Sequence, residues 1–164
     1  LMARSERDNP LELRGSFAGA MGYGQFMPSA YKQYAVDFDG NGTINLWDPV
    51  DAIGSVAHYF QQHGWQAGQP IAVPASGTAP SLDDGYNTRY SVSQLIKAGL
   101  RPQAALPGDQ QVSLLKLDMG QSYQYWFGLP NFYVITRYNH STQYAMAVWQ
   151  LGEAVRNARN NTVF

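Results

Sequence analysis

The residues between positions 37 and 48 are the part of this sequence best suited to metal chemistry. Short oxygen donors stand at positions 1, 3 and 5 of a twelve-residue calcium-loop pattern, and Gly42 holds position 6, where the chain must turn sharply. Ca²⁺ prefers six to eight oxygen ligands in a flexible cage, so the spacing predicts a structural Ca²⁺ site. The predicted ligands are Asp37, Asp39, Asn41, the backbone carbonyl of Thr43, and Asp48.

Two other interpretations of this loop stay open. Asp-Gly and Asn-Gly pairs are common in turns that bind nothing. A calcium sensor usually pairs two such loops, whereas this sequence has one. Asp48 replaces the usual longer Glu at position 12, which leaves the choice between Ca²⁺ and another cation open.

Candidate catalytic residues are few. The three glutamates, Glu6, Glu12 and Glu153, are interpreted as surface residues, and the three histidines lack any ligand spacing. No complete catalytic set is therefore evident. The remaining polar and aromatic candidates, each of which could equally serve a local turn or cap, are Ser16, Gln25, Tyr138, Asn139 and Tyr144.

Helices are predicted on both sides of the metal loop. Pro28 suits the first turn of one helix, and Asp48-Pro49 suits the cap and first position of a second, which ends at Gly64. Before them, residues 11–24 form a glycine-rich connection that would let a ligand approach the backbone. Residues 1–8 resemble the end of a helix and lack the apolar core of a signal peptide, which suggests a fragment or processed form.

The second half of the chain is less regular. Residues 66 to about 113 are rich in Pro, Gly, Gln and Ser, which predicts a small α+β region of short strands with a capped helix after Ser91. Residues 113–118 alternate as a strand, residues 123–133 form an aromatic cluster, and a last helix starts at Ser141. We expect residues 157–164 to fray.

The amino-acid composition indicates which kinds of binding partner are expected. Only 14% of the 164 residues are charged and the net charge is −1, so nothing predicts binding to nucleic acid or an anionic membrane surface. The chain has no Cys, and no apolar run approaches the ~20 residues of a membrane span. Eleven Tyr and four Trp, with many amides, suit a surface that meets a neutral glycan.

Three segments carry a family resemblance. Residues 15–29 (GSFAGAMGYGQFMPS), 45–55 (NLWDPVDAIGS) and 137–141 (RYNHS) closely resemble the membrane-bound lytic transglycosylase B family. The resemblance extends over nearly the whole chain. It implies an α+β, mainly helical fold: a lysozyme-like core with a single EF-hand-type loop and a small strand-containing insertion. The implied boundaries are 1–65 and 118–164 for the core and 66–117 for the insertion.

The resemblance also implies an activity. These bacterial enzymes cleave the β-1,4 bond between N-acetylmuramic acid and N-acetylglucosamine without water and leave a 1,6-anhydro end. One Glu acts first as acid and then as base. By resemblance, Ser16 and Gln25 contact the sugar and Phe26 lines the cleft. The resemblance also implies that the opposite wall of the cleft is formed by Tyr138, Asn139 and Tyr144.

The family's catalytic Glu lies in a Glu-Ser motif some tens of residues before the Gly-Ser-Phe-Ala stretch, whereas only fifteen residues precede Ser16 here. We therefore expect that the acid lies upstream of Leu1 and that the isolated chain is inactive. The implied partners are peptidoglycan strands and the missing N-terminal segment, with a monomeric state. The implied location is the bacterial periplasm or cell envelope, with an outer-membrane lipid anchor left open. A non-catalytic glycan-binding module with structural calcium remains the alternative.

Overall fold

The computed structural model describes residues 15–161, which divide into two units between His63 and Gly64. The first unit contains helix α1 (Pro28–Tyr34) and helix α2 (Pro49–Gln62). The predicted helix at residues 1–8 lies outside the described residues.

Both helices of the first unit begin as the sequence predicts. Pro28 and Pro49 each stand in the first turn, where a missing N–H costs nothing. Asp48 caps α2, because its Oδ1 accepts the Val50 N–H at 2.7 Å. Gly64 follows the helix with a positive φ of 90°. The metal loop therefore lies between two well-defined helices.

Residues 64–161, the described part of the second unit, form five strands and three helices. The strands are β1 (Ala72–Gly77), β2 (Tyr90–Ser91), β3 (Leu100–Pro102), β4 (Gln111–Asp118) and β5 (Tyr123–Gly128). The helices are α3 (Val92–Lys97), α4 (Pro130–Tyr138) and α5 (Thr142–Asn161). The strands form one antiparallel sheet in the order β2-β4-β5-β1-β3.

The sheet extends past the predicted end of the insertion at residue 117. Residues 123–128 form β5, which pairs with β4 and β1 at the centre of the sheet. From the sequence we predict an aromatic cluster at this point, without a strand. Tyr125, Trp126 and Phe127 are all buried, because the sheet is covered on both faces at this point and no polar alternation results.

Buried side chains lie on both faces of this central strand. Tyr125 and Phe127 belong to an apolar cluster with Leu114 and with Leu95 of α3. On the opposite face, the Trp126 ring meets the Trp149 ring of α5 edge-on, with centroids 5.3 Å apart. The predicted cap of α3 is confirmed, since Ser91 and Gln94 form a capping box.

The buried Asn131 joins α4 to the chain that leads into the sheet. Its Oδ1 accepts the Gln66 N–H at 2.8 Å, and its Nδ2 donates to the carbonyls of Gln66 at 2.8 Å and Gln69 at 3.1 Å. The expected fraying of the C-terminal tail is wrong for residues 157–161, which continue α5. The rest of that tail lies outside the described residues.

Candidate functional site

The acidic loop of the first unit brings three carboxylates together. Oxygen atoms of Asp37, Asp39 and Asp51 all lie within 4.8 Å of one another. Asp51 is fully buried, Asp37 is half-buried and Asp39 is exposed. Like charges this close repel one another unless a cation or backbone donors compensate them. The donor set consists of oxygen alone, which fits a hard cation such as Ca²⁺.

Backbone donors fix the conformation of this loop. Asp37 accepts the N–H groups of Gly40, Asn41 and Gly42 at 2.8, 3.1 and 2.7 Å. Gly42 has a φ of 90°, as predicted for position 6. The Gly42 N–H is the largest of the causes that hold the pKa of Asp37 below its ordinary value. The carboxylate therefore stays ionised at neutral pH, and this stabilisation disappears only as the pH falls through the lowered pKa.

The predicted last ligand, Asp48, lies at the start of α2, and a second acid lies nearer the other carboxylates. Its side chain caps α2 and lies outside the carboxylate cluster, whereas Asp51, three residues further along, lies inside it. Asp51 Oδ1 accepts the N–H of Phe38 at 2.8 Å, and its Oδ2 accepts that of Asn45 at 2.8 Å. The Asp51 carboxylate, in the first turn of α2, therefore binds backbone N–H groups of the loop.

The other predicted ligands lie on the exposed side of the loop. Asn41 Nδ2 donates to Asp39 Oδ2 at 2.8 Å, and Asn41 Oδ1 accepts the Thr43 N–H at 2.9 Å. Both residues are exposed. Their roles as ligands stay predictions.

The glycine-rich connection folds into two tight turns. The Ser16 hydroxyl accepts the Ala20 N–H at 3.0 Å, and Met21 forms bridges to Gly15 and Phe26. Gln25 has a φ of 51°, a left-handed conformation that is uncommon for a residue with a side chain. Its Nε2 donates to the Gly22 carbonyl at 2.9 Å, so the amide is held at the surface. Strain of this kind often marks a binding or catalytic position.

Ser16 and Gln25 are both exposed in the first unit. Phe26 is 2% exposed, and its ring lies 6.4 Å from that of Tyr59. Phe26 therefore supports the turn from inside the unit, and its predicted place in a cleft wall stays a prediction.

The remaining predicted residues stand at the junction of α4 and α5 in the second unit. Tyr138 is the last residue of α4, and Asn139 follows it in an extended conformation. The carbonyl of Asn139 accepts the Ser141 N–H at 2.7 Å, and the Ser141 hydroxyl accepts the Tyr144 N–H at 3.2 Å. The predicted helix start at Ser141 is confirmed, and Tyr138, Asn139 and Tyr144 lie within one tight turn and the first turn of α5.

Glu153 and two of the histidines have local partners. Glu153 pairs with Arg156 on the exposed side of α5, as expected of a solvated residue. His58 and His63 each donate through Nδ1 to a backbone carbonyl, of Tyr34 at 2.9 Å and Tyr59 at 2.7 Å. Glu6 and Glu12 lie outside the described residues. Among residues 15–161, Glu153 is the single glutamate, and its surface ion pair does not suit a general acid.

Comparison with known proteins identifies the class. The sequence profile of the transglycosylase SLT domain matches residues 1–153, and the chain belongs to this family of lytic transglycosylases. It is 71% identical over 159 residues to the membrane-bound lytic murein transglycosylase B of Escherichia coli K12. That match covers 97% of this chain and 44% of the relative.

Solved structures share the fold. The E. coli lytic transglycosylase Slt35 in complex with calcium superposes with a TM-score of 0.93 at 71% identity, over 96% of this chain and 51% of that one. SltB3 of Pseudomonas aeruginosa, in complex with NAG-anhNAM-pentapeptide, gives 0.74 at 37% identity, over 88% and 41% of the two chains. The chain thus spans about half the length of the relatives it matches. None of the helices in residues 15–161 has the length and hydrophobicity of a transmembrane span.

Sequence reasoning missed Asp51 and two aromatic residues, Tyr23 and Trp47. Tyr23 and Trp47 line an open pocket together with Gln25, Gly15 and Gly22. The signal for Asp51 was present but ambiguous, since an acid in the first turn of a helix also complements the helix dipole. For the pocket, the sequence offers one indication: Tyr23 stands between two glycines, and the structure shows its side chain exposed.

Proposed function

We propose that this chain is the glycan-binding and metal-binding part of a peptidoglycan lytic transglycosylase with a lysozyme-like core. The observation that carries the proposal is the 71% identity over 97% of the chain, which includes the whole glycine-rich segment. The strained, exposed Gln25 supports it, because an amide held at the surface can bond sugar hydroxyl or acetamido groups. The substrate is peptidoglycan, and the location is the bacterial cell envelope.

The reaction is non-hydrolytic cleavage of the MurNAc-β-1,4-GlcNAc bond to give 1,6-anhydromuramic ends. It needs one carboxyl that first donates and then accepts a proton. Glu153, held in a surface ion pair, does not suit this role, and we assign the acid to a segment outside these 164 residues, as the family resemblance implies. Sugar contacts are assigned to Ser16 and Gln25 in the first unit and, separately, to Tyr138, Asn139 and Tyr144 in the second.

Gln25→Ala, made in a protein that carries the acid, is expected to lower turnover of purified peptidoglycan by about tenfold or more, because a positioned hydrogen-bonding group is lost. The melting temperature changes little, since the side chain is exposed. Release of 1,6-anhydromuropeptides, measured by mass spectrometry, gives the rate. Gln33→Ala, an exposed glutamine of α1, is the matched control and keeps full turnover.

The same assay tests the isolated chain. No anhydro product is expected from the 164 residues alone. Product at a rate comparable with the longer protein would contradict an acid supplied from elsewhere. If Gln25→Ala and Gln33→Ala behave alike in the longer protein, the assigned role of Gln25 is wrong. A longer protein that binds glycan but yields no product supports the alternative, a non-catalytic glycan-binding module.

Calcium is proposed as a structural ion held by Asp37, Asp39 and Asp51, with Asn41 and Thr43 completing the site. The mutual approach of the three carboxylates within 4.8 Å supports it, as does the calcium complex of Slt35. The ion would tie the end of α1 to the start of α2. It has no part in proton transfer.

Asp37→Ala is expected to lower the melting temperature markedly in the presence of Ca²⁺ and much less in a chelator, because an ion bound only by the folded state adds stability. Differential scanning fluorimetry with and without the ion measures this difference. Asp84→Ala, an exposed aspartate of the second unit, should behave like the wild type in both conditions. Equal losses with and without Ca²⁺ would assign Asp37 to the turn alone.

A further inference from the structure

The first unit carries an open pocket of about 430 Å³ that includes Gln25 and two aromatic residues to which the proposed function gives no role. It is lined by Tyr23, Gln25 and Trp47, together with Gly15 and Gly22. Tyr23 is 71% exposed, and Trp47 is half-buried. A large exposed aromatic ring beside a second one leaves apolar surface in contact with water, which is unfavourable unless a ligand covers it.

The chemistry of the lining indicates the class of ligand. None of the five residues carries a charge, so the pocket suits a neutral ligand. The amide, phenol and indole together offer hydrogen-bond donors and acceptors at the rim of an aromatic surface. A pyranose ring has the matching form, with C–H groups on its faces and hydroxyl or acetamido groups around its edge.

Backbone hydrogen bonds fix the position of both aromatic residues of the pocket. The Tyr23 N–H donates to the Leu46 carbonyl at 2.9 Å, and Leu46 is 1% exposed. The Trp47 N–H donates to Asn45 Oδ1 at 3.0 Å, and the Asn45 N–H donates to Asp51 Oδ2 at 2.8 Å. The backbones that carry both aromatic residues are therefore fixed before any ligand arrives, which reduces the entropy lost on binding.

We infer that Tyr23 and Trp47 form an additional sugar-binding position, on which one N-acetylhexosamine ring of a glycan strand stacks beside Gln25. The inference rests on the proposed function for its choice of glycan. A sugar in this pocket contributes to substrate affinity through stacking on the aromatic rings and hydrogen bonds to the amide.

The test uses the 164-residue chain and the uncharged oligosaccharide N,N′,N″,N‴-tetraacetylchitotetraose. The indole N–H signals of the four tryptophans are followed by NMR during titration, and Trp47→Phe assigns the signal of Trp47. We expect the Trp47 signal to shift with saturation. Tyr23→Ala should raise Kd by about fivefold to tenfold, in line with the loss of one stacking ring.

Tyr123→Ala is the matched control, because Tyr123 is 55% exposed and lies on β5 of the second unit. It should leave Kd unchanged. A saccharide-dependent shift of another tryptophan with Trp47 unmoved would overturn the inference, as would equal effects of Tyr23→Ala and Tyr123→Ala. Absence of any shift at millimolar saccharide would also overturn it. None of these results tests the proposed lyase activity, which is measured separately by the release of anhydromuropeptides from the longer protein.

Discussion

Replacing Asp51 with alanine is expected to lower the free energy of unfolding by about 3 kcal/mol or more, even without a metal ion. The carboxylate is fully buried and accepts three backbone N–H groups, those of Phe38 at 2.8 Å, Asp39 at 3.4 Å and Asn45 at 2.8 Å. Each buried donor left unpaired costs about 1–3 kcal/mol, and the shortened side chain also leaves a void. Urea unfolding in a chelator measures this loss.

The same variant is expected to lose the stabilisation by Ca²⁺. At a free ion concentration of about 100 times Kd, an ion that binds only the folded state adds about 2.7 kcal/mol. That increment should be present in the wild type and absent from Asp51→Ala. Because the first effect is structural and the second is a response to the ion, unfolding curves with and without Ca²⁺ separate them.

Asp48→Ala is the control that distinguishes the two candidates for the last ligand. Loss of the helix cap costs about 1 kcal/mol, since Asp48 Oδ1 accepts the Val50 N–H. The increment from Ca²⁺ should remain. If Asp48→Ala abolishes the increment and Asp51→Ala keeps it, the twelve-residue register predicted from the sequence is right and the assignment of Asp51 is wrong.

The sequence predicted this region well where the determinants are local. Oxygen donors at alternate positions, a glycine at the sharp turn and an Asp-Pro helix start each act over a few residues, and the structure confirms the turn and the helix starts. The sequence pattern selects Asp48 as the last acidic residue, but a second acid, Asp51, also stands near the end of the pattern. Only the path of the chain into α2 decides which one returns to the loop.

The central strand β5 was missed for a different reason. Alternation of apolar and polar residues identifies a strand when one face of the sheet is exposed to solvent. Here Tyr125, Trp126 and Phe127 are all buried, between α3 on one face and α5 on the other, so no alternation is seen. By contrast, the capped helix after Ser91 was predictable, because its start depends on Ser91 and Gln94 alone.

The candidate sugar-binding residues could be predicted only through resemblance. Ser16, Asn139 and Tyr144 all take part in backbone hydrogen bonds expected of ordinary turn or helix-start residues. The left-handed φ of Gln25 is the feature of the fold that sets it apart, and no local pattern in the sequence specifies that conformation. Tyr23 and Trp47 are separated by more than twenty residues, so their shared pocket follows from tertiary contacts.

Gly22→Ala is expected to lower the free energy of unfolding by about 2–4 kcal/mol and to weaken glycan binding. Gly22 has a φ of 66°, and an added Cβ would lie 2.3 Å from the Leu46 carbonyl oxygen and 2.5 Å from Leu46 Cβ. Backbone and a buried side chain must therefore move, in addition to the strain of a left-handed alanine. The added Cβ would clash with the same Leu46 carbonyl that accepts the hydrogen bond from the Tyr23 N–H. Tyr23, which lines the pocket, should therefore move as well.

Gly19→Ala distinguishes the cost of a left-handed backbone from the cost of the steric clash with Leu46. Gly19 lies in the same glycine-rich segment with a φ of 86°, but an added Cβ there meets nothing within 4 Å. It should lose about 1 kcal/mol, as expected for an alanine in the left-handed region, and keep the affinity for the oligosaccharide. Chemical unfolding and the tryptophan NMR titration compare the two variants directly. Equal losses from Gly22→Ala and Gly19→Ala would mean that contact with Leu46 does not shape the pocket, and that the glycines act through backbone conformation alone.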